Sequence, residues 1–553
     1  MDLLLTVLTL IAAVLAVTPR ERQLDIRVRI RKFDWLSATI AAVAVVILEF
    51  YELLKAHVTW FPATDCWPKG LTPKNAIYLI ILMVSLILAA RLRFAKLTRS
   101  KMSTFRDLVE ELYWNGNYGE LFALLQTHLS NLFKIYDSDF FFLRLRDKLN
   151  PLNFRGHTAS LINELARAAG MPPMQTTTSR RLNDWKRRLL QIVSAIAWRI
   201  VRLFPVNQEP EESAHDVVRG IFLAPKFLSA LAQTRPYLGL DIIKRSKRSF
   251  ERADFVELFV RELLKDTHSV FYREVQNNQN VSNGRYHLPE SNRLLCFFLN
   301  DVNVAKELNI YKPIGDYMIS DLDSLTRNPT VDTYNRTVDR NFEDVESWHS
   351  PLFVGVQFFD IMVKEALFQK MHWHMWLYYM PPVVEGIVRN YRLDDPLVEP
   401  QNEFPTRYGV ILYRAFSNMR DWILAVEDFP AGQQNVVLKS TAISYSENGN
   451  IPKSSIMAIT DCLYYVLQAQ HVGERTKHSL ADLVFNIYFD LRASGKFDAY
   501  AQVLATAVTQ RKSYKQDQLE YRSLLLRVFN TEKTEYLIKR STSHVVDLEA
   551  LLV

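Results

Sequence analysis

Three long apolar runs lie within about the first hundred residues of the chain. They cover residues 3–17, 36–54 and 76–90, and each has polar or charged residues at its ends. Each run has about 15–19 residues, slightly fewer than the ~20 that a membrane-spanning helix needs. We interpret residues 1–102 as a membrane anchor with three predicted transmembrane helices. For any single run, the alternative is a buried helix of a soluble domain.

The first apolar run also has features of a secretory signal. Residues 14–16 form an acceptable cleavage site, but Asp2 stands where a signal peptide carries basic residues. The prediction is therefore an uncleaved anchor, and cleavage of residues 1–17 stays open as the alternative.

Basic residues predict the orientation of this anchor. Six Lys and Arg lie between the first and second runs and five follow the third, whereas the loop at residues 56–75 holds only Lys69 and Lys74. Lys and Arg remain on the cytoplasmic side of membrane proteins. The predicted location is a membrane, a bacterial inner membrane, with residues 91–553 in the cytoplasm.

Two polar features interrupt this pattern. Glu49 lies near the end of the second run, and a charge at membrane depth is by default a functional-site hypothesis. Glu49 is therefore a candidate intramembrane polar site, although it could also simply reach the interface. Residues 24–31 alternate strictly between apolar and polar, which predicts a strand with one basic face. We expect this segment to pair with the cytoplasmic domain or to lie on lipid headgroups.

From about residue 104 onward the apolar spacing is mostly helical, and it predicts two αα-hairpins. In each of them a turn glycine, Gly116 or Gly495, is followed two residues later by an aromatic residue, Tyr118 or Phe497. This turn resembles that of tetratricopeptide and related helical repeats, in which glycine caps the first helix and the aromatic ring packs on it. No regular 34-residue period joins the two hairpins, so the resemblance is limited to local packing.

Residues 181–204 show the clearest helical periodicity, with apolar residues on one half of the wheel and arginines on the other. A basic amphipathic helix with tryptophan is typical of a helix on an anionic membrane surface. A helix packed on the domain core with a solvated basic face is the alternative. The predicted membrane-surface residues are Arg181, Arg187, Arg188, Arg199, Arg202 and Trp185.

Polar, proline-bearing segments predict the domain boundaries. Residues 103–178 form a helical hairpin region and residues 179–206 the basic amphipathic helix. Residues 207–430 form a central helical domain and residues 431–553 a C-terminal helical region.

Short β-prone stretches at 408–413 and 436–443 predict a minor sheet. Residues 353–380 form an unusually aromatic helical block that we assign to core packing. The predicted fold class is mainly α: N-terminal transmembrane helices followed by a large α-helical cytoplasmic domain with αα-hairpins and minor β structure.

Composition and motifs identify no reaction. Only 16 glycines occur in 553 residues, far below the usual ~7%, which disfavours glycine-rich phosphate loops. Three cysteines are too few for a disulfide scaffold or a zinc knuckle. His372 and His374 are two residues apart and cannot share a metal ion on a helix. Acidic pairs such as Asp321 and Asp323 lack the partners of a recognisable hydrolase. The sequence thus predicts no catalytic residue, no metal site and no cofactor.

The function predicted from these features is that of a membrane-anchored scaffold or sensor that binds other proteins through helical surfaces. Its expected partners are the lipid bilayer, anionic lipid headgroups, other proteins and further copies of itself; the net charge of +7 with no nucleic-acid motif disfavours nucleic acid. One alternative is an oligomeric channel or membrane-perturbing effector. The other is an enzyme whose site is assembled from residues far apart in the sequence.

Overall fold

The computed structural model is mainly helical, as the sequence predicts. It describes residues 20–30, 32–57, 72–94, 96–137, 209–246, 251–282, 284–339, 342, 345–373, 375–394, 396–399, 401–428, 450–509 and 518–553. The chain divides into two compact units, Met1–Phe227 with Asp241–Arg252 and Leu228–Leu240 with Ala253–Val553. The five-part division predicted from the sequence stays a prediction.

The first unit contains the apolar helices and the first αα-hairpin. Its elements are α1 (Arg20–Arg29), α2 (Lys32–Glu49), α3 (Tyr51–His57), α4 (Pro73–Phe94), a 3₁₀ turn (Arg99–Lys101), α5 (Met102–Trp114), α6 (Tyr118–Tyr136), α7 (Glu209–His215) and a π-helical turn (Asp216–Ile221). Helices α8 (Pro225–Thr234) and α9 (Pro236–Arg245) follow in the chain.

The predicted strand at residues 24–31 is wrong, because residues 24–29 lie in α1; residue 31 lies outside the described residues. Val28 is buried, and α1 packs on α6. In the helix Asp25 and Arg29 lie one turn apart and form an ion pair of 2.8 Å. Helical spacing thus pairs Asp25 with Arg29, and contact of this segment with lipid headgroups stays a prediction.

The turn between α5 and α6 is an αα-hairpin turn of the predicted kind. Gly116 has a φ of +72°, a left-handed conformation that glycine adopts without a Cβ clash. The amide of Asn117 donates to the carbonyl of Leu112 and that of Gly116 to the carbonyl of Tyr113, which is the Schellman pattern. Tyr118 lies edge-on to Tyr113 of the preceding helix, so the aromatic residue packs as predicted.

The second unit is built from helices around one buried core. Its elements are α10 (Glu251–Lys265), α11 (Val270–Asn277), β1 (Val281–Ser282), β2 (Arg285–Tyr286), α12 (Arg293–Leu299), α13 (Val302–Glu307), α14 (Tyr311–Arg327), 3₁₀ turns at Pro329–Val331 and Glu346–His349, α15 (Pro351–Phe368), a 3₁₀ turn (Met375–Tyr379), α16 (Met380–Asn390), α17 (Arg407–Leu424), a 3₁₀ turn (Ala425–Asp428), α18 (Ile451–Gln468), α19 (Glu474–Ala493), α20 (Asp498–Thr509), α21 (Gln518–Lys539) and α22 (Thr542–Leu552).

Helix α15 lies at the centre of this unit, and most of its side chains are buried. The aromatic block that contains it is not one helix, because α15 ends at Phe368 and the chain resumes in a 3₁₀ turn before α16. Trp376 in that turn is fully buried, and it lies against Trp373 with ring centroids 4.7 Å apart. These contacts agree with the predicted core role of the block.

Two predictions for the rest of this unit have different outcomes. The second αα-hairpin is confirmed: α19 and α20 are joined through Gly495, whose φ is +64°, and Phe497 is buried. The β-prone stretch at 408–413 lies instead inside α17, so that part of the predicted sheet is wrong. In the described ranges the β strands are β1 and β2, an antiparallel hairpin. Residues 436–443 lie outside the described residues.

Candidate membrane surface

Helices α2, α3 and α4 carry a large group of exposed apolar side chains, which we call the apolar belt. Among the described side chains of these helices, fourteen large apolar ones are exposed, such as Trp35 at 67% and Ile40 at 61%. Soluble monomeric proteins rarely expose a contiguous apolar patch of more than a few hundred Å². The belt consists of Trp35, Leu36, Ile40, Val43, Val46, Ile47, Phe50, Leu53, Tyr78, Leu79, Leu82, Met83, Leu86 and Ile87.

The belt residues share one face of each long helix. On α2 the exposed positions Leu36, Ile40, Val43 and Ile47 recur every three or four residues, which places them on one side. Val45, on the opposite side, is only 7% exposed. Helices α2 and α4 pack against each other, so each helix turns one face to its neighbour and the other face outward.

Helix α4 repeats this arrangement. Leu79, Leu82, Met83 and Leu86 are exposed at spacings of three and one, whereas Ile77 on the opposite side is buried. The two paired helices therefore present apolar outer faces. A helix that is apolar on both its packed face and its outer face is typical of a nonpolar surrounding.

In the part of the chain that the structure describes, no single helix is long and apolar enough to cross a membrane. The helices Asp34–Glu49 and Tyr51–His57 are joined at a bend of 66°, and only as a pair are they long and apolar enough. Pro73–Ile87 is a shorter apolar helix. The first predicted span, residues 3–17, lies outside the described residues. The three transmembrane helices therefore stay a prediction.

The bend between α2 and α3 follows directly after Glu49, the last residue of α2. Its side chain is exposed, and Phe50 at the bend belongs to the belt. Glu49 thus lies at the end of the apolar helix. Its role as an intramembrane polar site stays a prediction.

Helix α1, which directly precedes α2, is held to α6 by polar contacts. Asp25 Oδ1 lies 2.8 Å from His128 Nε2 and 2.8 Å from Arg29 Nε. Burial raises the pKa of Asp25, but the hydrogen bonds from His128 and Arg29 outweigh it and the pKa lies below its ordinary value. Arg20 forms a further ion pair with Glu120 at 3.4 Å. The start of the apolar helices is therefore joined to the first αα-hairpin.

The basic side chains of α1 differ in their surroundings. Arg29 forms an ion pair with Asp25, whereas Arg22 and Arg27 are exposed. The predicted membrane-surface residues Arg181, Arg187, Arg188, Arg199, Arg202 and Trp185 lie outside the described residues. Their contact with lipid stays a prediction.

A separate group of polar residues is buried inside the second unit around Asp360 of α15. Asp360 accepts hydrogen bonds from the Tyr286 hydroxyl at 2.6 Å and from Trp422 Nε1 at 2.8 Å. Lys364 forms an ion pair with the same carboxylate at 3.1 Å and with Asp421 at 3.1 Å. These contacts connect β2, α15 and α17. Because donors from two neighbouring elements and from α15 itself contact the Asp360 carboxylate, the arrangement is suited to holding three elements together.

Asp321 and Asp332 form a second polar group in this unit, with Tyr408 and Tyr334 beside them. Burial and the nearby charge of Asp332 raise the pKa of Asp321 to about 6. Burial likewise raises the pKa of Asp332, which accepts a hydrogen bond from the Tyr408 hydroxyl at 3.2 Å. A perturbed carboxyl is a feature of functional sites and also of structural networks.

Asp321 and Asp323 are an acidic pair in the sequence, but in the structure they have different partners. Asp323 forms an ion pair with Arg389 at 3.5 Å, whereas the carboxyl that acts on Asp321 is Asp332, eleven positions along the chain. No spacing in the sequence indicates this approach, because it depends on the turn after α14. Among the described residues no three or more His, Cys, Asp or Glu side chains are placed to hold a metal ion. His372 is exposed, and His374 lies outside the described residues.

Helices α19, α20 and α22 enclose a small cavity, lined by apolar side chains such as Val484, Leu504 and Leu552 together with Tyr488. Carboxylates and histidines do not line it. No family model, curated protein or solved structure matches this chain. The apolar belt is the feature of the described residues that points most directly to a partner, because its surface is unfavourable in water.

Proposed function

We propose that the chain is a membrane-anchored protein whose apolar belt lies in a lipid bilayer and whose helical domain binds other proteins in the cytoplasm. The single observation that carries the anchoring is the exposure of fourteen large apolar side chains on α2, α3 and α4. In water, exposing each of these side chains costs about 25 cal/mol of free energy per Å² of apolar surface. In hydrocarbon that cost disappears.

Charge distribution supports a bilayer as the surrounding of the belt. No Asp, Glu, Lys or Arg occurs at positions 35–48 or 76–90, while Asp34, Glu49, Lys74 and Arg91 lie just outside these stretches. A protein partner that covered the belt would not require charged residues near both ends of both helices. The basic residues before α2 and after α4 favour a cytoplasmic location for both of those ends.

Exposed apolar residues on the last two helices support the protein-binding role. Ile538 on α21 is 79% exposed and Val546 on α22 is 53% exposed. These residues lie far along the chain from the belt and offer apolar contacts without belonging to it. Anchoring confines encounters with a partner to the membrane and so raises its effective concentration.

Membrane fractionation tests the anchoring. We expect the full-length protein to stay with membranes through an alkaline carbonate wash and to leave them only in detergent. The belt variant Ile40→Asn/Leu82→Asn/Leu86→Asn should shift to the soluble or aggregated fraction, because each amide adds a desolvation cost in hydrocarbon. Release of the unaltered protein by carbonate would overturn the proposal.

The variant Ile538→Asp/Val546→Asp serves both as a matched control and as the test of partner binding. We expect it to remain in the membrane, because it leaves the belt unchanged. After extraction in mild detergent, its particles should be smaller than those of the unaltered protein, whose partners remain bound. Identical particle masses for the two proteins would contradict protein binding through α21 and α22.

An oligomeric channel is the second candidate, and the position of Glu49 favours it. An exposed carboxylate at the end of an apolar helix can face a pore in a ring of copies. This function predicts a closed ring in detergent and ion flux in liposomes that Glu49→Ala abolishes and Glu52→Ala preserves. A monomeric particle without flux would exclude it.

A further inference from the structure

The two long helices of the belt have nearly the same apolar length, and that length is short. On α2 the stretch without charged residues runs over positions 35–48, between Asp34 and Glu49. On α4 the apolar stretch covers positions 76–90, between Asn75 and Arg91. At 1.5 Å per residue these stretches are about 21 Å and about 23 Å long.

Helix α3 does not lengthen the first of these stretches. The chain bends by 66° between α2 and α3, so α3 leaves the axis of α2. It also carries Glu52 and Lys55, both exposed, next to exposed Leu53. A short helix with this mixed surface is suited to lie along a membrane interface. The bend therefore comes where the apolar length of α2 ends.

We infer that the apolar belt is matched to a bilayer with a hydrocarbon core of about 20–25 Å, thinner than the about 30 Å of a typical bilayer. Its partner would be a membrane of short-chain phospholipids. This inference rests on the proposed function, since it specifies the bilayer in which the anchor lies. The two helices pack together and have polar or charged residues at the ends of apolar stretches of nearly the same length, so they give two separate measures of that thickness.

In a thicker bilayer both helices would be too short. Either the charged ends, such as Glu49 and Arg91, would enter the hydrocarbon, or the lipid would have to thin around the protein. Each ångström of mismatch costs a fraction of a kcal/mol. Over the difference of roughly 8 Å from a typical bilayer, we expect a preference on the order of tenfold for the thinner membrane.

A competition between vesicles tests this inference. The full-length protein is transferred from detergent to a mixture of phosphatidylcholine vesicles whose monounsaturated chains have fourteen, eighteen or twenty-two carbons, each population carrying a different dye. We expect on the order of tenfold enrichment in the fourteen-carbon vesicles over the twenty-two-carbon vesicles. An equal distribution, or enrichment in the longest chains, overturns the inference and leaves membrane anchoring intact. Absence of the protein from every population overturns the proposed function itself.

A charge-matched pair of variants tests the cause. Glu49→Leu/Arg91→Leu removes the charge at one end of each apolar stretch, so these ends could enter hydrocarbon, and the preference should move toward eighteen-carbon chains. Glu385→Leu/Arg389→Leu removes the same charges from an exposed ion pair on α16 and should leave the preference unchanged. If both variants behave like the unaltered protein, the charges do not set the length and the inference is wrong.

Discussion

Asp25 of α1 and His128 of α6 are joined by a hydrogen bond of 2.8 Å, and His128 is only 1% exposed. Because an ionised carboxylate only accepts hydrogen bonds, Nε2 of His128 donates to Oδ1 of Asp25. Helix α1 directly precedes the apolar helix α2, so this contact joins the anchor segment to the first αα-hairpin. Arg29 completes the arrangement from one turn along α1.

Replacing Asp25 with alanine should destabilise the first unit by about 1–3 kcal/mol, because buried His128 loses its acceptor. Chemical denaturation of the full-length protein in detergent measures this change in the free energy of unfolding. Cleavage at α1 by a protease reports unfolding of the first unit. Arg22→Ala on the exposed side of the same helix is the control and should change stability by less than about 0.5 kcal/mol. Equal effects of the two substitutions would contradict the role of this contact.

The Asp25 contact should also depend on pH in one direction. Its folded-state pKa lies below the ordinary value, so its contribution is present above the unfolded-state pKa, about 4, and is lost as the pH falls through the folded-state pKa. We expect the stability difference between the unaltered protein and Asp25→Ala to be constant above pH 5 and to shrink in stronger acid. A difference that grows on acidification would contradict this assignment.

Asp321 should have the opposite effect on stability. Its pKa of about 6 in the folded protein exceeds the ordinary value of 3.8, so folding disfavours its ionised form. Stability should therefore fall as the pH rises from about 4 to 6 and change no further through this group above that range. Asp321→Asn should remove this slope and stabilise the protein at pH 7 by roughly 1–3 kcal/mol. Denaturant midpoints at pH 4.5 and pH 7 test this, with Asp323→Asn as the control.

The carboxylate of Asp360 is expected to be the most sensitive polar position of the second unit. Asp360→Ala would leave the buried donors of Tyr286 and Trp422 without this acceptor and would leave Lys364 with Asp421 alone, at a cost of about 3–5 kcal/mol. Asp421→Ala removes only the exposed partner of Lys364 and should cost less than about 1 kcal/mol. Thermal unfolding of both variants gives the comparison, and similar melting temperatures would contradict it.

Close packing in the second unit depends on Gly355 of α15. A Cβ at this position would lie 2.4 Å from the sulfur of Met318 on α14. Gly355→Ala should therefore destabilise the protein by about 1–3 kcal/mol through overpacking, and Met318→Val in the same chain should recover part of the loss. Gly119→Ala on α6 has no neighbour within 4 Å and should be neutral or stabilising, because alanine favours the helix. A cost at Gly119 equal to that at Gly355 would refute the packing argument.

Local signals in the sequence determined much of the architecture. The turn glycines Gly116 and Gly495 predicted two αα-hairpins, because a left-handed residue that ends a helix is a local requirement that glycine meets at little cost. Continuous apolar stretches likewise located the helices of the belt. Helical periodicity beyond residue 104 predicted the mainly α fold. These features depend on residues within one or two helical turns of each other.

Tertiary contacts decided the rest. Residues 24–31 and 408–413 have strand-like patterns, yet residues 24–29 and 408–413 are helical, because Val28 and Tyr408 are buried against neighbouring elements and packing outweighs weak β propensity. The approach of Asp332 to Asp321 and the gathering of donors around Asp360 join residues from different elements, which no spacing encodes. The sequence pattern also did not predict that the belt faces outward, since an apolar run alone does not distinguish a buried helix from one that faces its surroundings.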